Sequence, residues 1–161
     1  MRSTWRFAAD ATLGKLGRDL RSAGFDTLCQ HQSRDVDFLD TIDGGRVILT
    51  RTRLLKLRFK ARPLVFIRHN DPFQQMKQVV RELNLGWCDV NLFSRCLVCN
   101  QNLYPVDREA VTGLVPAYVW QHHPTFYTCG KCGRIYWAGS HHERMRRRLA
   151  AIFQDERREN Q

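Results

Sequence analysis

The chain has 161 residues, 43% of them hydrophobic, which suffices for one folded core with a small satellite and excludes a disordered chain. Its net charge of +10 favours polyanionic partners, with nucleic acid ahead of an anionic membrane. No apolar run approaches the roughly 20 residues of a membrane helix, and charge occurs too early at the N-terminus for a secretory signal. We therefore expect a soluble cytoplasmic protein with no membrane partner and no disulfide framework.

Four short apolar runs predict buried strands in the first part of the chain. They are WRFAA at 5–9, FDTLC at 25–29, VILT at 47–50 and LVFI at 64–67. Helix patterns lie between these runs and after the last one. Because apolar strands that alternate with helices are typical of parallel sheets covered on both faces, we predict an α/β unit over 1–92.

The helix patterns have recognisable ends. Leucines at 13, 16 and 20 predict a helix that ends at Gly24, and DVDFLDTID at 35–43 predicts a short one. Asp71 and Pro72 occupy the N-cap and N1 positions of a further helix, whose apolar face is Met76, Val79, Val80 and Leu83. The segment LLKLRFKAR at 54–62 fits either an exposed strand or a helix, and its pattern does not decide between them.

The second part of the chain, 93–161, is rich in cysteine, glycine and aromatic residues. Two Cys-x2-Cys pairs occur there, and each can present two thiolates from one tight turn. Four thiolates satisfy tetrahedral zinc and leave no open position, so we predict a structural zinc ribbon. Iron or a redox-active pair are the alternatives. The predicted ligands, which need no histidine to complete the set, are Cys96, Cys99, Cys129 and Cys132.

The segment GSHHERMRRRLAAIF predicts a final amphipathic helix packed on the ribbon. Ser140 and Glu143 fit an N-terminal capping box. The apolar side chains recur at helical spacing, and they are Met145, Leu149, Ile152 and Phe153. We therefore divide the chain into an α/β domain over 1–92 and a ribbon with its terminal helix over 93–161.

Acidic residues stand close to the ends of the predicted strands. Asp10 follows the first strand, Asp71 follows the fourth, and Asp37 lies in the helix before the third. The carboxyl ends of parallel strands share one edge, where carboxylates can bind one or two Mg²⁺ or Mn²⁺ ions. All three residues also stand near helix starts, where aspartate is a good cap. Spacing leaves both interpretations open.

Several segments together resemble the Mut-seven C-terminal RNase family, whose members combine a PIN-like nuclease fold with a zinc ribbon. The matching segments cover about 5–150 in order, and they are FAADATLGKLGRDLRSAGFD, GGRVILTR, DPFQQMKQVV, SRCLVCNQNLYPVD, VPAYVW and CGKCGRIYWAGSHHERM. The resemblance implies a parallel sheet with helices on both faces and a carboxylate cluster for divalent metal.

The resemblance also assigns the acids of that cluster. They fall on Asp10, Asp37 and Asp71, with Asp35 or Asp40 as alternatives to Asp37. The family's remaining acid follows the third strand in a Thr-Arg-Asp motif. Here the motif reads Thr50-Arg51-Thr52, so one carboxylate is missing and a two-metal site loses a ligand.

Three functions are compatible with this sequence. The first is a metal-dependent endoribonuclease, in which the RNA backbone is bound by Arg51, Arg53, Lys56 and Arg58. The second is an RNA-binding protein with an impaired nuclease site, acting on tRNA, the ribosome or another structured RNA. The third is a protein-interaction module that meets its partner through the ribbon segment 115–127. The ribbon aromatics suit base stacking or packing around the zinc turns, and they are Tyr127, Tyr136 and Trp137.

Overall fold

The computed structural model describes residues 5–30 and 37–159, and side chains as far as residue 154. The first part contains β1 (Arg6–Ala9), α1 (Gly14–Ser22), β2 (Asp26–Cys29), α2 (Phe38–Thr41), β3 (Val47–Thr50), α3 (Arg53–Arg58), β4 (Leu64–Phe66) and α4 (Pro72–Glu82). The second part contains β5 (Leu103–Val106), α5 (Ala117–His122), β6 (Phe126–Cys129), β7 (Ile135–Tyr136) and α6 (Ser140–Glu159).

The first four strands form one parallel sheet in the order β2-β1-β3-β4. Ala8 of β1 lies beside Leu28 on one side and Ile48 on the other, and Leu49 of β3 lies beside Val65 of β4. The prediction of a mixed α/β fold with a parallel sheet flanked by helices is therefore confirmed.

Side chains alternate between two cores on the faces of this sheet. Phe7 and Leu49 belong to the larger core, which also receives apolar residues of α1 and α4. Ala8 and Ile48 face the opposite way and meet Phe59 in a smaller core. Because both faces are covered, the central strands can be apolar throughout, as their sequences are.

The start of α4 and the end of α1 follow their sequence signals. Asp71 accepts a hydrogen bond from the Gln74 N–H (3.0 Å) and so caps α4, with Pro72 in the first turn. The chain leaves α1 through Gly24 at φ +96°, where a Cβ would lie 2.2 Å from the Asn91 carbonyl oxygen. Glycine is required there by both the backbone conformation and the close approach.

The undecided segment 54–62 begins as a helix. The helix α3 ends at Arg58, and no residue of it is buried. Leu55 and Phe59, four residues apart, turn towards the smaller core, whereas Leu54 and Leu57 are 72% and 67% exposed. The contact between i and i+4 positions is what a helix allows and a strand does not.

Strands β5, β6 and β7 form a second, antiparallel sheet that carries the cysteines. We expected α6 to pack on this ribbon, but its buried side chains Leu149, Ile152 and Phe153 lie in the larger core of the first sheet. The long helix thus fills a gap beside α4 that the first part of the chain leaves open.

The predicted capping box of α6 is also wrong. Ser140 is already the first helical residue, and the Glu143 N–H donates to the Gly139 carbonyl (3.1 Å). The Glu143 carboxylate instead accepts hydrogen bonds from Arg146 and Arg147. Among the described residues, none of the helices combines the length and apolar character needed to cross a bilayer.

Candidate functional site

The cysteines form a compact cluster. The Sγ atoms of Cys96, Cys99, Cys129 and Cys132 all lie within 4.8 Å of one another, and those of Cys96 and Cys132 are 3.7 Å apart. Each pair sits on a tight turn. The first ends at Asn100 (φ +62°) and the second at Gly133 (φ +69°). Four sulfurs at these separations can share one tetrahedral ion, so the cluster fits a structural metal such as zinc.

Two thiol pKa values in the metal-free cluster are shifted in opposite directions. Burial acts to raise the pKa of Cys96, but hydrogen bonds from the Tyr136 hydroxyl (3.1 Å) and from backbone amides outweigh it and lower the pKa to about 7. Burial and the neighbouring sulfurs of Cys132 and Cys96 raise the pKa of Cys99 to about 12. One sulfur is therefore readily ionised, whereas Cys99 needs a cation to become a thiolate.

The first cysteine turn is fastened to the parallel sheet by the buried side chain of Asn100. Its Oδ1 accepts from the Thr27 N–H (3.0 Å), and its Nδ2 donates to Asp26 Oδ1 (2.6 Å). Arg46 holds the same Asp26 carboxylate with two bonds of 2.9 Å. Arg21 donates to the carbonyl oxygens of Leu97 and Val98 within the turn.

Sequence reasoning did not single out these anchoring residues. An asparagine directly after a Cys-x2-Cys pair is a signal that could have identified Asn100, because asparagine tolerates the left-handed conformation. Arg21 and Arg46 gave no local signal for this role, since the groups they hold, Val98 in the turn and Asp26 in β2, lie 77 and 20 positions away along the chain.

Asp10 occupies the centre of the carboxyl edge of the first sheet and is 2% exposed. Its Oδ1 accepts from the Thr12 N–H (2.8 Å) and hydroxyl (2.6 Å). Its Oδ2 accepts from the Thr50 hydroxyl (2.5 Å) and the Arg51 N–H (3.1 Å). A carboxylate offers about four acceptor positions, so internal donors occupy all of them. Asp10 therefore caps the turn that follows β1 and also lies at the carboxyl edge of the sheet.

The other predicted acids stand at the starts of helices α4 and α2. Asp71 follows β4 and uses Oδ1 to cap α4, and Asp37 is exposed at the start of α2. Within 5–30 and 37–159, these three carboxylates do not form a group as close as that of the cysteines. Asp40 is paired with Arg58 (2.7 Å), and Asp35 lies outside the described residues. The assignment of catalytic acids stays a prediction.

The Thr50-Arg51-Thr52 motif lies at the same edge. The Thr50 hydroxyl donates to Asp10 and accepts from the Thr52 N–H (3.0 Å). The Arg51 guanidinium donates to the side-chain oxygen of Asn70. Thr52 is exposed and precedes α3 without a side-chain cap bond. Thr52, where the resemblance would place an acid, is therefore open to solvent.

The predicted RNA-contact residues differ in their surroundings. Arg53 and Lys56 are exposed on α3, and the Lys56 ammonium lies 4.9 Å from the centre of the Phe66 ring. Arg58 is partly neutralised by its ion pair with Asp40. Some aromatic and histidine residues of the second part, among them Tyr127, Tyr136 and His142, line a cleft elsewhere, between the ribbon and the first turn of α6.

The chain also matches a known protein family. The family model of the Mut7-C RNAse domain matches residues 5–149. The chain belongs to this RNase domain family. The match spans both sheets and the first half of α6, so it confirms the resemblance seen in the sequence. It also makes a nuclease-like role and RNA as substrate or partner the coarse functional assignment. Searches of curated proteins and of solved structures find no match.

Proposed function

We propose that this protein is a metal-dependent endoribonuclease with a weakened metal site. The observation that carries the proposal is the buried carboxylate of Asp10 at the carboxyl edge of a Mut7-C RNAse sheet. Ligands collect at this edge of parallel sheets. The proposed activity is hydrolysis of RNA phosphodiester bonds in the cytoplasm.

The donor set at this edge suits Mg²⁺ or Mn²⁺ in its chemistry, because carboxylate oxygens are the ligands that these ions prefer. Asp10, Asp37 and Asp71 would hold the ion, which supplies an activated water and charge stabilisation when bound. Two of the four donors to Asp10 are threonine hydroxyls. These can rotate, whereas the two backbone N–H donors cannot. Because an ion must displace existing hydrogen bonds to bind Asp10, we expect its affinity for this site to be low.

The basic residues beside the edge would bind the RNA backbone. Arg51 is held by Asn70, so its guanidinium is already oriented at the edge. Arg53 and Lys56 extend the positive charge along the exposed side of α3, and Arg58 continues it. Because 44–70 contains no acidic residue, this segment itself adds no charge that would repel phosphates.

The zinc ribbon has a supporting role in this proposal. Its first turn is bonded to β2 through Asn100, so a bound zinc would stiffen the edge of the parallel sheet. We keep the division of the chain at residue 92, with α6 returning to the first core. The exposed part of the ribbon is also where a protein partner would bind.

A second candidate is an RNA-binding protein that does not cleave. Two features favour it: Thr52 stands where the resemblance places an acid, and Asp10, Asp37 and Asp71 do not form a close ligand group among the described residues. Substrate would then be retained by the basic residues, and the edge would lack the charge needed to hold a metal ion.

The experiment compares the unmodified protein with Asp10→Asn and Thr52→Asp on labelled structured and single-stranded RNA, in Mn²⁺ and in EDTA. We expect slow cleavage that needs Mn²⁺, no cleavage by Asp10→Asn, and cleavage at least about tenfold faster with Thr52→Asp, because a fourth carboxylate raises ion affinity. Glu109→Asp, in the second part of the chain, is the matched control and should change nothing. Cleavage that survives Asp10→Asn contradicts the proposal. Binding without cleavage in any variant selects the second candidate.

A further inference from the structure

A wide cleft lies away from the acidic edge, between the ribbon and the start of α6. Its volume is about 660 Å³, which is within the range of small-molecule sites. One wall comes from strands β6 and β7, another from residues 137–142, and the floor from residues 91–94. None of these described lining residues is acidic.

Aromatic rings dominate the lining, and other contacts hold several of them in place. Phe93 stacks on His142 with ring centres 3.6 Å apart, and its backbone has φ +55° and donates to the Ser22 carbonyl (2.8 Å). The Tyr136 hydroxyl bonds to Cys96 and to the Leu97 N–H. Rings held in this way lose little conformational entropy when they bind a flat ligand.

Tyr127 is the accessible ring of the group. It lies directly opposite Tyr136 in the antiparallel register, so both side chains occupy the same face of the ribbon. Tyr127 is 43% exposed even though it lines the cleft. An exposed tyrosine beside a fixed one therefore offers a ring face on which a ligand can stack.

The cleft also contains hydrogen-bond donors that lack partners. The indole N–H of Trp137 makes no hydrogen bond within the described part of the chain. A Cβ at Gly139 would lie 3.1 Å from this nitrogen, so glycine leaves it accessible. The first residues of α6, from Ser140 to His142, line the same cleft. The leading N–H groups of a helix have no intrahelical acceptors, and they favour anionic groups such as phosphate.

We propose that this cleft binds one unpaired nucleotide of RNA, with its base against Tyr127 and its phosphate at the first turn of α6. Aromatic faces together with uncompensated donors favour a base and phosphate over an apolar peptide, and the absence of acidic lining residues admits an anion. The inference rests on the proposed RNA ligand, but it does not require cleavage.

The cleft is a distal subsite relative to Asp10. Helix α1 begins beyond Asp10 and ends at Ser22, whose carbonyl oxygen holds Phe93. Its nine residues span about 13 Å. An RNA strand that contacts both Asp10 and the cleft must therefore span the side of the molecule with a few nucleotides.

The test measures binding of a labelled oligoadenylate of about twelve nucleotides to the zinc-loaded full chain by fluorescence anisotropy. We expect Tyr127→Ala to weaken binding about tenfold and Tyr127→Phe to preserve it, since the stacking face is kept. Tyr104→Ala is the matched control, because Tyr104 is 59% exposed and pairs with Thr128, which places it on the other face of the ribbon. It should bind like the unmodified protein.

Other outcomes separate this inference from the proposed cleavage. Equal binding by Tyr127→Ala, an equal loss in Tyr104→Ala, or no binding by the unmodified protein overturns the subsite. The expected binding pattern without any cleavage retains the subsite and rejects the nuclease. Cleavage of RNA together with unchanged binding by Tyr127→Ala retains the nuclease and rejects the subsite. If Tyr127→Ala loses zinc, the deciding experiment is the binding of adenosine monophosphate, measured by tryptophan fluorescence. Saturable quenching of tryptophan fluorescence that disappears in Trp137→Phe supports the subsite, and no quenching overturns it.

Discussion

The cysteine cluster and the acidic edge are both built from residues that could bind metal, yet only the first has its ligand atoms together. The four sulfurs lie within 4.8 Å of one another. At the edge, Asp10 is buried under four internal hydrogen bonds, while Asp71 caps a helix. Ligands that come in pairs from one turn are positioned by local backbone geometry. Ligands from separate strands depend on the whole fold and on what else competes for them.

The largest expected effect comes from breaking the assembled cluster. Cys129→Ser should abolish stoichiometric zinc binding and unfold the second sheet, because Cys129 is buried and zinc binding contributes about 10 kcal/mol or more to small zinc modules. Elemental analysis and thermal unfolding of the full chain measure this.

Cys88→Ser is the control for that prediction, since Cys88 is exposed and lies outside the cluster. A full zinc content in Cys129→Ser would show that the sulfurs do not act as one site.

The next effect concerns the bonds that tie the cluster to the sheet. Asn100→Ala removes two hydrogen bonds of a buried side chain and should lower the free energy of unfolding by about 2–4 kcal/mol. Urea denaturation measures it. Asn84→Ala isolates the backbone contribution, because Asn84 is exposed and also has a positive φ of 51°. Equal losses in both variants would mean that only backbone strain matters.

A smaller effect concerns RNA binding at the acidic edge. Arg51→Ala should weaken binding to all RNA sequences alike and reduce the slope of log affinity against log salt by about one. Filter binding over a range of salt concentrations measures this slope. Arg81→Ala, on the exposed last turn of α4, should leave it unchanged. A slope that stays constant in Arg51→Ala would remove Arg51 from the RNA-binding surface.

The smallest effect is the pH dependence contributed by the anchor of the cysteine turn. Burial acts to raise the pKa of Asp26, but hydrogen bonds from Arg46 and Asn100 outweigh it and lower the pKa. The stabilisation is therefore fully present above the unfolded value of about 3.9, and it disappears as the pH falls through the lowered folded value. Asp26→Asn should remove the pH dependence of the free energy of unfolding below about pH 4. Acid titrations of unfolding measure this. A change confined to neutral pH would contradict this assignment.

The sequence by itself determined the four strands of the parallel sheet, the capped start of α4 and the cysteine cluster. These features rest on apolar runs, on Asp71 beside Pro72 and on Cys-x2-Cys spacing, which act over a few residues. The prediction of an absent acid at Thr52 came from the family resemblance and stays a prediction. Tertiary structure decided where α6 packs and what the Asp10 carboxylate bonds to. It also decided that Asn100 and Arg21 join the ribbon to the sheet. Apart from the local bonds from Thr12 to Asp10, these outcomes depend on contacts between residues far apart along the chain, such as Asp10 with Thr50 and Thr27 with Asn100, for which no local pattern exists.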